Sequence, residues 1–466
     1  MKEKGRSSLL ISWGGGVVKV LLVGSGGREH AIAAALCRSA EHVQLYAFMG
    51  SNNPGITRLV DEHKGKFVIG DIRDADAVVK WALSAGVDYA VIGPEVVLEA
   101  GVVDKLEESG IRCASPLREA ARIETDKAFA RELMKKYNIP GVPRFGVFSN
   151  PEEAAKMIDE LNGNVAVKPA GLTSGKGVKV TGAQLKDGWE AKKYAREVIE
   201  KEIGGANAVV IEEKLDGEEF TLQAFVDGKH VFGMPAVQDH KLAFEGDTGP
   251  NTGGMGSYSD TNHLLPFMQP DDYAAGLSIM KGAVEALTKE IGVNYKGVLY
   301  GQFMLTAKGP YLIEFNARFG DPEAMNVLTI LESDYMKILE KIIDGTLSAS
   351  DMRFERSATV CKYIVPAGYP DAPKKNQPVL IDEWGIRNAG AHLYYGAVHQ
   401  EEDGGAYTTG SRTAAVVGVS DSITEAEKVA EYAASFITGE VMHRKDIGTK
   451  ELIQKRIDHM KKIRGK

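Results

Sequence analysis

A chain of 466 residues is too long for one ordinary core, and domains of ~100 to 200 residues predict about three. Its 44% hydrophobic and 26% charged residues, with no long low-complexity tract, exclude a largely disordered protein, and a formal net charge of -8 disfavours a general surface for nucleic acid. No segment approaches the ~20 apolar residues of a spanning helix, so neither nucleic acid nor membrane is an expected partner. Cys37, Cys113 and Cys361 lie far apart and outside any paired metal-ligand spacing, which suits a reducing cytoplasm.

Residues 1–17 begin like a signal peptide, with Lys2, Lys4 and Arg6 before Leu9 to Ile11. Gly14, Gly15 and Gly16 break the apolar run and Lys19 follows, so a disordered extension is expected instead. From Lys19, short β-branched runs alternate with helical patterns to about Arg122, implying a parallel doubly wound sheet with ligands at the carboxyl ends of its strands. Those ends read GSGGREH (Gly24 to His30), SNNPG (Ser51 to Gly55) and GPE (Gly93 to Glu95), loops of a kind that admits a substrate. A dinucleotide fingerprint fails at its sixth position, where Glu29 replaces glycine. A glycine loop opening a helix still offers backbone N–H groups to phosphate, and Arg28 and His30 favour a phosphorylated small molecule over an empty turn.

A second domain is expected from about residue 123 to 350, with a smaller lid at about 140–215. Thr125, Asp126 and Lys127 open an amphipathic helix to Tyr137, and Asn150, Pro151 and Glu152 open another. VAVKPAGLTSGKGVKV (Val165 to Val180) reads as two strands joined by a glycine-rich loop, not a Walker loop, since no Gly-Lys-Ser/Thr opens a helix. Such a loop can fold over a nucleotide, Lys168 pairing with phosphate oxygens and Ser174, Gly175, Lys176 and Gly177 offering donors; the alternative is a plain hairpin with surface lysines. In VVIEEKLDGEEF (Val209 to Phe220), backbone groups near Lys214 and Leu215 suit an adenine edge and Glu219 suits ribose hydroxyls.

Two further runs carry the most chemistry, TGPNTGGMG (Thr248 to Gly256) and YLIEFNARFGDPE (Tyr311 to Glu323). If Tyr311 to Arg318 is a strand, Glu314, Asn316 and Arg318 share one face. Magnesium wants hard oxygens with room for water and phosphate, which Glu314 and Asn316 supply, while Arg318 suits an anionic substrate group. The alternative is a solvated sheet face. GVLYGQFMLT (Gly297 to Thr306) reads as a hairpin partner through turn residues Ala307 to Pro310; it brings Gln302 across as a third oxygen ligand, or as an amide paired with a neighbour. Residues 351–466 read as a small α+β domain with strands ATVCKYIVPAG, HLYYGAVHQ and AAVVGVS, a helix from Ile423 to Phe436, and no catalytic constellation of its own. The fold class is thus α/β and α+β, multidomain.

In this order and approximate spacing, GSGGREH, SNNPG, GPE, KPAGLTSGKGV, EEKLDGEE, QDHK (Gln238 to Lys241), DTGPNTGGMG and IEFNARFGDPE resemble the glycinamide ribonucleotide synthetase family of the ATP-grasp superfamily. The resemblance runs from about Val18 to the end. It implies an ATP-grasp central domain clamping ATP between two sheets, and a ligase that joins glycine to 5-phosphoribosylamine in purine synthesis through an acyl phosphate. It implies Mg2+ or Mn2+, two ions, at Gln302, Glu314 and Asn316, with ATP as co-substrate. Lys127, Lys168, Glu212, Lys214, Leu215 and Glu219 match its nucleotide site. Asp247, Asn251, Thr252 and Gly253 lie in the loop toward the phosphates and acceptor. Arg318 and Asp321 are assigned to glycine and, with Lys168, to catalysis; Gly26, Gly27, Arg28, Gly93, Pro94 and Glu95 match the phosphoribosylamine side.

Ala170, Thr173, Ser174, Ser25 and Leu242 depart from the pattern of bacterial members, none of them at the metal positions. The rivals are a related ligase using another carboxylate or bicarbonate, which GPNTGGMG and RFGDPE argue against, and a nucleotide sensor, which retention of Glu314 and Asn316 argues against. A monofunctional cytoplasmic enzyme, monomer or weak homodimer, is expected.

Overall fold

The computed structural model describes residues 17–172, 177–401 and 404–465. Strands β1 (Val18–Val23), β2 (Val43–Met49), β3 (Phe67–Ile69), β4 (Tyr89–Ile92) and β5 (Arg112–Cys113) form a parallel sheet ordered β3-β2-β1-β4-β5. β4 is buried along its whole length, as expected of a parallel strand covered on both faces. The order reverses between β1 and β4, where an open α/β sheet leaves a crevice. The loop at Gly24 follows β1 and the loop at Gly93 follows β4, so both glycine loops flank that crevice.

Asp126 caps the helix Lys127–Lys136, its Oδ1 accepting from Phe129 N at 2.9 Å. Next, β6 (Phe145–Phe148), β7 (Val165–Pro169), β8 (Lys179–Val180) and β9 (Val209–Glu213) form an antiparallel sheet ordered β6-β9-β7-β8. Val165, Val167, Val209 and Ile211 pack with Ala154, Ile158 and Tyr194 from two helices into a core separate from the main one. This sheet thus has a hydrophobic core of its own. Residues Lys214 to Gly217 link it to the next sheet, built from β10 (Glu218–Asp227) and β11 (Val231–Gly233).

Four short strands come next: β12 (Gln238–Asp239), β13 (Leu242–Phe244), β14 (Thr248–Asn251) and β15 (Gly256–Ser259). Then β16 (Lys296–Thr306) and β17 (Gly309–Asn316) complete a sheet ordered β11-β10-β16-β17, whose core is continuous with that of the N-terminal sheet. The β16–β17 turn is tighter than its composition suggests, because Gly309 and Pro310 already pair with Thr306 and Leu305. The ladder pairs Gln302 with Glu314 but Phe303 with Leu312, leaving Ile313 as an extra residue at a bulge.

The C-terminal strands β18 (Ala358–Pro366), β19 (Pro378–Ile381), β20 (His392–Tyr395), β21 (Val398–Gln400), β22 (Ala406–Thr408), β23 (Ala414–Ser420), β24 (Ile437–Gly439) and β25 (Val441–Met442) fall into two sheets. One is ordered β12-β15-β18-β23-β20, with β25 on β18, so residues 238–259 lend two strands to the C-terminal sheet. The other is ordered β21-β22-β19-β24. HLYYGAVHQ, read from sequence as one strand, splits at Gly396, where a Cβ would stand 2.5 Å from Arg412 O. Among the described residues no helix is long and apolar enough to cross a membrane, and Cys37, Cys113 and Cys361 are free.

Candidate active site

The β6–β9–β7–β8 sheet, the β10–β16–β17 sheet and the C-terminal sheet border a cleft of about 710 Å³, within the size range of small-molecule sites. On its β16–β17 wall, Gln302 and Glu314 are direct cross-strand partners and Asn316 follows. The strand ends at Asn316, two residues short of the sequence expectation, and a bend returns Arg318 Nη2 to within 3.2 Å of Asn316 Oδ1. Gln302 Nε2 donates to Glu219 Oε2 at 2.6 Å, while Lys241 donates to Gln302 Oε1 and its Nζ lies 3.9 Å from Glu314 Oε1. Burial pushes the Glu314 carboxyl up, but Lys241, Lys127 and Lys168 outweigh it and hold that carboxyl below its ordinary value.

These oxygens therefore face positive charge. Among the described residues no three His, Cys, Asp or Glu side chains gather as metal ligands. Magnesium does not require such a group, since it is commonly held by one or two carboxylates with water and substrate phosphate completing its shell. Glu314, Asn316 and Gln302 fit that donor set, and Lys241 now holds its ammonium against two of the same oxygens.

On the β7–β9 wall, Lys168 is 3% exposed, with Nζ 2.7 Å from Glu212 Oε2 and donating to Ile313 O at 2.9 Å. Arg131 meets the other Glu212 oxygen at 2.6 Å and donates to Ile313 O at 2.8 Å. The bulge at Ile313 thus presents the carbonyl on which both cations converge. Burial pulls the Lys168 ammonium below its ordinary value against the opposing pull of Glu212. Burial would raise Glu212, but Arg131 and Lys168 together hold its carboxyl below the ordinary value. Lys127 donates to Gly171 O (2.9 Å) and Lys214 to Thr181 O (2.8 Å), and with Leu215 and Glu219 they line the cleft. Gly177 lies off the lining, its carbonyl accepting from Tyr194 at 2.7 Å; Ser174, Gly175 and Lys176 fall outside the described residues.

At the N-terminal end, Arg28, Pro94 and Glu95 line the cleft, whereas Gly26, Gly27 and Gly93 do not. Glu29 explains the arrangement. It accepts from Gly26 N at 2.5 Å and from Arg28 Nε at 2.6 Å, capping the helix Gly27–Cys37 from within, and a Cβ on Gly93 would stand 2.1 Å from its Oε1. Gly27 would likewise meet the Tyr363 hydroxyl at 2.4 Å, so these glycines are required by close packing. His30 corrects the sequence reading that set it beside a phosphate. It is buried, its Nδ1 accepts from Tyr395 N at 2.9 Å, and burial lowers its pKa to about 4. The SNNPG loop is also a joint, since Asn53 is buried, caps the helix Pro54–Glu62 and donates to Tyr395 O at 2.8 Å.

Arg318 is met by Glu95 at 3.3 Å and Glu124 at 3.1 Å. Burial raises the Glu124 carboxyl to about 7 despite Arg318. Asp321 accepts from Tyr363 OH at 2.7 Å and pairs with Arg412 at 3.0 Å. Arg412 also donates to Gly253 O at 2.5 Å and covers the Tyr363 ring at 4.4 Å, fastening the Asn251–Thr252–Gly253 loop to the Asp321 turn. Thr252 Oγ1 donates to Lys241 O at 2.8 Å, and Asp247 is held by Arg444 and Arg456. Sequence reasoning assigned no role to Arg412, Arg444 or Arg456, which have no local pattern. It also passed over Asp239, Lys241 and Glu323, although QDHK and GDPE contain them; burial raises both Asp239 and Glu323 in the cleft.

Three family models match in succession: the N domain of phosphoribosylglycinamide synthetase over residues 18–124, its ATP-grasp (A) domain over 125–324 and its C domain over 359–450. A phosphoribosylamine–glycine ligase of Methanopyrus kandleri is 53% identical over 453 residues, covering 96% of this chain and all of that protein. One from Methanoregula boonei is 54% identical over 446 residues with the same coverage. The crystal structure of phosphoribosylamine–glycine ligase from Thermotoga maritima matches with a TM-score of 0.77 at 29% identity, covering 92% of this chain and all of the other. With three matched domains in order and an ATP-grasp cleft between them, this chain belongs to the phosphoribosylglycinamide synthetase family.

Proposed function

We propose that this cleft carries out the ATP-dependent ligation of glycine to 5-phosphoribosylamine, giving glycinamide ribonucleotide, ADP and phosphate, with the labour divided among its walls. The observation that carries this reading is the convergence of Gln302, Glu314 and Asn316 with Lys168 and Arg318 in one cleft. The glycine carboxylate is a poor acyl donor, so one carboxylate oxygen attacks the γ-phosphorus of ATP, the bond to the ADP oxygen breaks, and glycyl phosphate forms. The phosphoribosylamine nitrogen then attacks the acyl carbon, phosphate leaves with the C–O electron pair, and the nitrogen loses a proton. Positioning and charge neutralisation suffice for both steps without a protein nucleophile.

Glu314, Asn316 and Gln302 hold Mg2+ or Mn2+, which supplies charge neutralisation for the phosphates, two ions being expected. Lys168, held beside Glu212, faces the transferring phosphate, and Lys127 assists it. Lys214, Leu215 and Glu219 receive the nucleoside end. Arg318 and Asp321 serve the glycine side. Arg28 and the Gly93–Pro94–Glu95 turn receive phosphoribosylamine, which Asp247 and the Asn251–Thr252–Gly253 loop approach; Gly26 and Gly27 support them from behind. The domains run 18–122, 123–350 with the lid at 140–215, and 351–466, in a cytoplasmic monomer or weak homodimer.

The test supplies ATP, magnesium and phosphoribosylamine generated in place, and compares glycine with alanine, bicarbonate and no carboxylate. ADP release is expected only with glycine, and glycine labelled with ¹⁸O in its carboxylate is expected to pass label into phosphate. Bicarbonate-dependent release without a glycine requirement would move the chain to another ligase class; unlabelled phosphate would exclude glycyl phosphate.

A further inference from the structure

The C-domain match ends at residue 450, where the last helix, Lys450–Ile463, begins. Leu452, Ile453 and Met460 bury one side of this helix. Arg456 and His459 lie three residues apart, hence on neighbouring positions of one face, and both turn toward the central domain. Arg456 Nη1 is 3.2 Å from Glu218 Oε2, and its Nη2 pairs with Asp247 Oδ2. His459 Nδ1 is 2.6 Å from Glu218 Oε1, and its Nε2 is 3.3 Å from Asp216. A short turn beyond, Arg464 takes Asp272 in a two-point pair at 2.7 and 3.1 Å.

The residues held by Arg456 occupy strategic places. Glu218 is 5% exposed and opens β10 directly after the Lys214–Gly217 link; it precedes Glu219, whose carboxylate takes Gln302. Asp247 precedes the loop that reaches Gly253, and its φ of 58° lies in the left-handed region that favours glycine. Asp is among the few non-glycine residues that adopt this conformation readily, and Arg444 and Arg456 together hold its carboxylate. Arg456, Glu218 and Asp247 all line the cleft.

We propose that Arg456 is a positioning residue of the ligase: by bridging Glu218 and Asp247 it fixes the spacing between the nucleotide wall and the acceptor loop. This rests on the reading that Glu219 serves the nucleotide and residues 247–253 the acceptor. Without the bridge, the phosphorylated glycine and the incoming amine lose alignment, and water competes for the acyl phosphate.

Arg456→Met keeps length and removes both ion pairs, whereas Arg456→Lys keeps charge but presents a single ammonium to two carboxylates. The readout is the ratio of ADP released to glycinamide ribonucleotide formed, with KM for each substrate and melting temperature. The expected result for Arg456→Met is a ratio well above one and kcat/KM lower by up to roughly a hundredfold, the scale of a ~1 Å misplacement. Arg456→Lys should restore it in part; Arg464→Met, at the C-cap of the same helix but paired at Asp272, should lower melting without changing the ratio. An unchanged ratio in folded Arg456→Met, or an equal change in Arg464→Met, overturns the proposal. If Arg456→Met does not fold, the ratio in Arg456→Lys decides by the same criterion. Glu219→Gln and Asp247→Asn, assayed in parallel, separate this outcome from failure of the underlying reading, since neither would then alter a substrate KM.

Discussion

The two ends of the cleft are built by different means. The β16–β17 wall takes Gln302, Glu314 and Asn316 from one hairpin, so a single cross-strand register fixes their relation. The opposite end takes Arg412, Arg444 and Arg456 from three separate segments and joins them to Asp321 and Asp247 by ion pairs spanning 91 to 209 positions in the chain. A hairpin wall is set by local geometry, while the arginine end exists only once the C-terminal region has docked. The first should respond to mutation in its chemistry and the second in its alignment.

The largest expected effect belongs to the hairpin wall. Glu314→Ala should leave phosphate charge uncompensated during transfer, lowering turnover at saturating ATP and magnesium at least ~100-fold, or about 3 kcal/mol. Because β17 is held by its backbone ladder, the variant should melt close to the parent temperature. Near-normal turnover in the folded variant would remove Glu314 from the metal role.

At the arginine end, Arg412→Met leaves Asp321 with one partner, Tyr363, and releases the Gly253 carbonyl. Losing charge-assisted hydrogen bonds of this kind costs about 2 kcal/mol, which predicts a fall in kcat/KM of roughly thirtyfold. Here both KM for the acceptor and kcat should move, because the loop and the Asp321 turn shift together. Steady-state kinetics showing a change in kcat alone would place Arg412 with the hairpin residues and erase the contrast.

That contrast also marks how much was legible in sequence. The parallel sheet, the lid strands, the caps at Asp126 and Asn150, and the hairpin facing Gln302 toward Glu314 follow from periodicity and turn chemistry, which act over a few residues. Arg412 and Arg456 carried no such signal, since nothing near them in the chain reveals that Asp321 or Glu218 will be their neighbour. The bulge at Ile313 was hidden for a related reason: a register shift depends on the partner strand as well as on the strand itself. His30 was misplaced because a histidine beside a glycine loop reads as a phosphate ligand until Tyr394 and Tyr395, more than 360 positions away, are seen packed around it.

The His30 joint yields the smallest prediction and tests whether docking underlies the arginine end. Burial lowers the His30 pKa from 6.5 to about 4, with Arg58 reinforcing and Glu383 opposing the shift. Its neutral Nδ1 accepts from Tyr395 N, and a protonated ring could not accept there. Because the folded-state pKa is depressed, the unfolded chain binds more protons between pH 6.5 and 4, so stability present above pH 6.5 is lost as pH falls through that window. Between pH 7 and 5.5 the loss from this one group comes to ~1 kcal/mol. Denaturant midpoints of the parent should fall over that interval more steeply than those of His30→Gln, which cannot take up the proton. If docking of the C-terminal region also sets the arginine end, KM for the acceptor should rise over the same interval in the parent and less so in His30→Gln. Parallel slopes for the two proteins would show that His30 does not govern the joint.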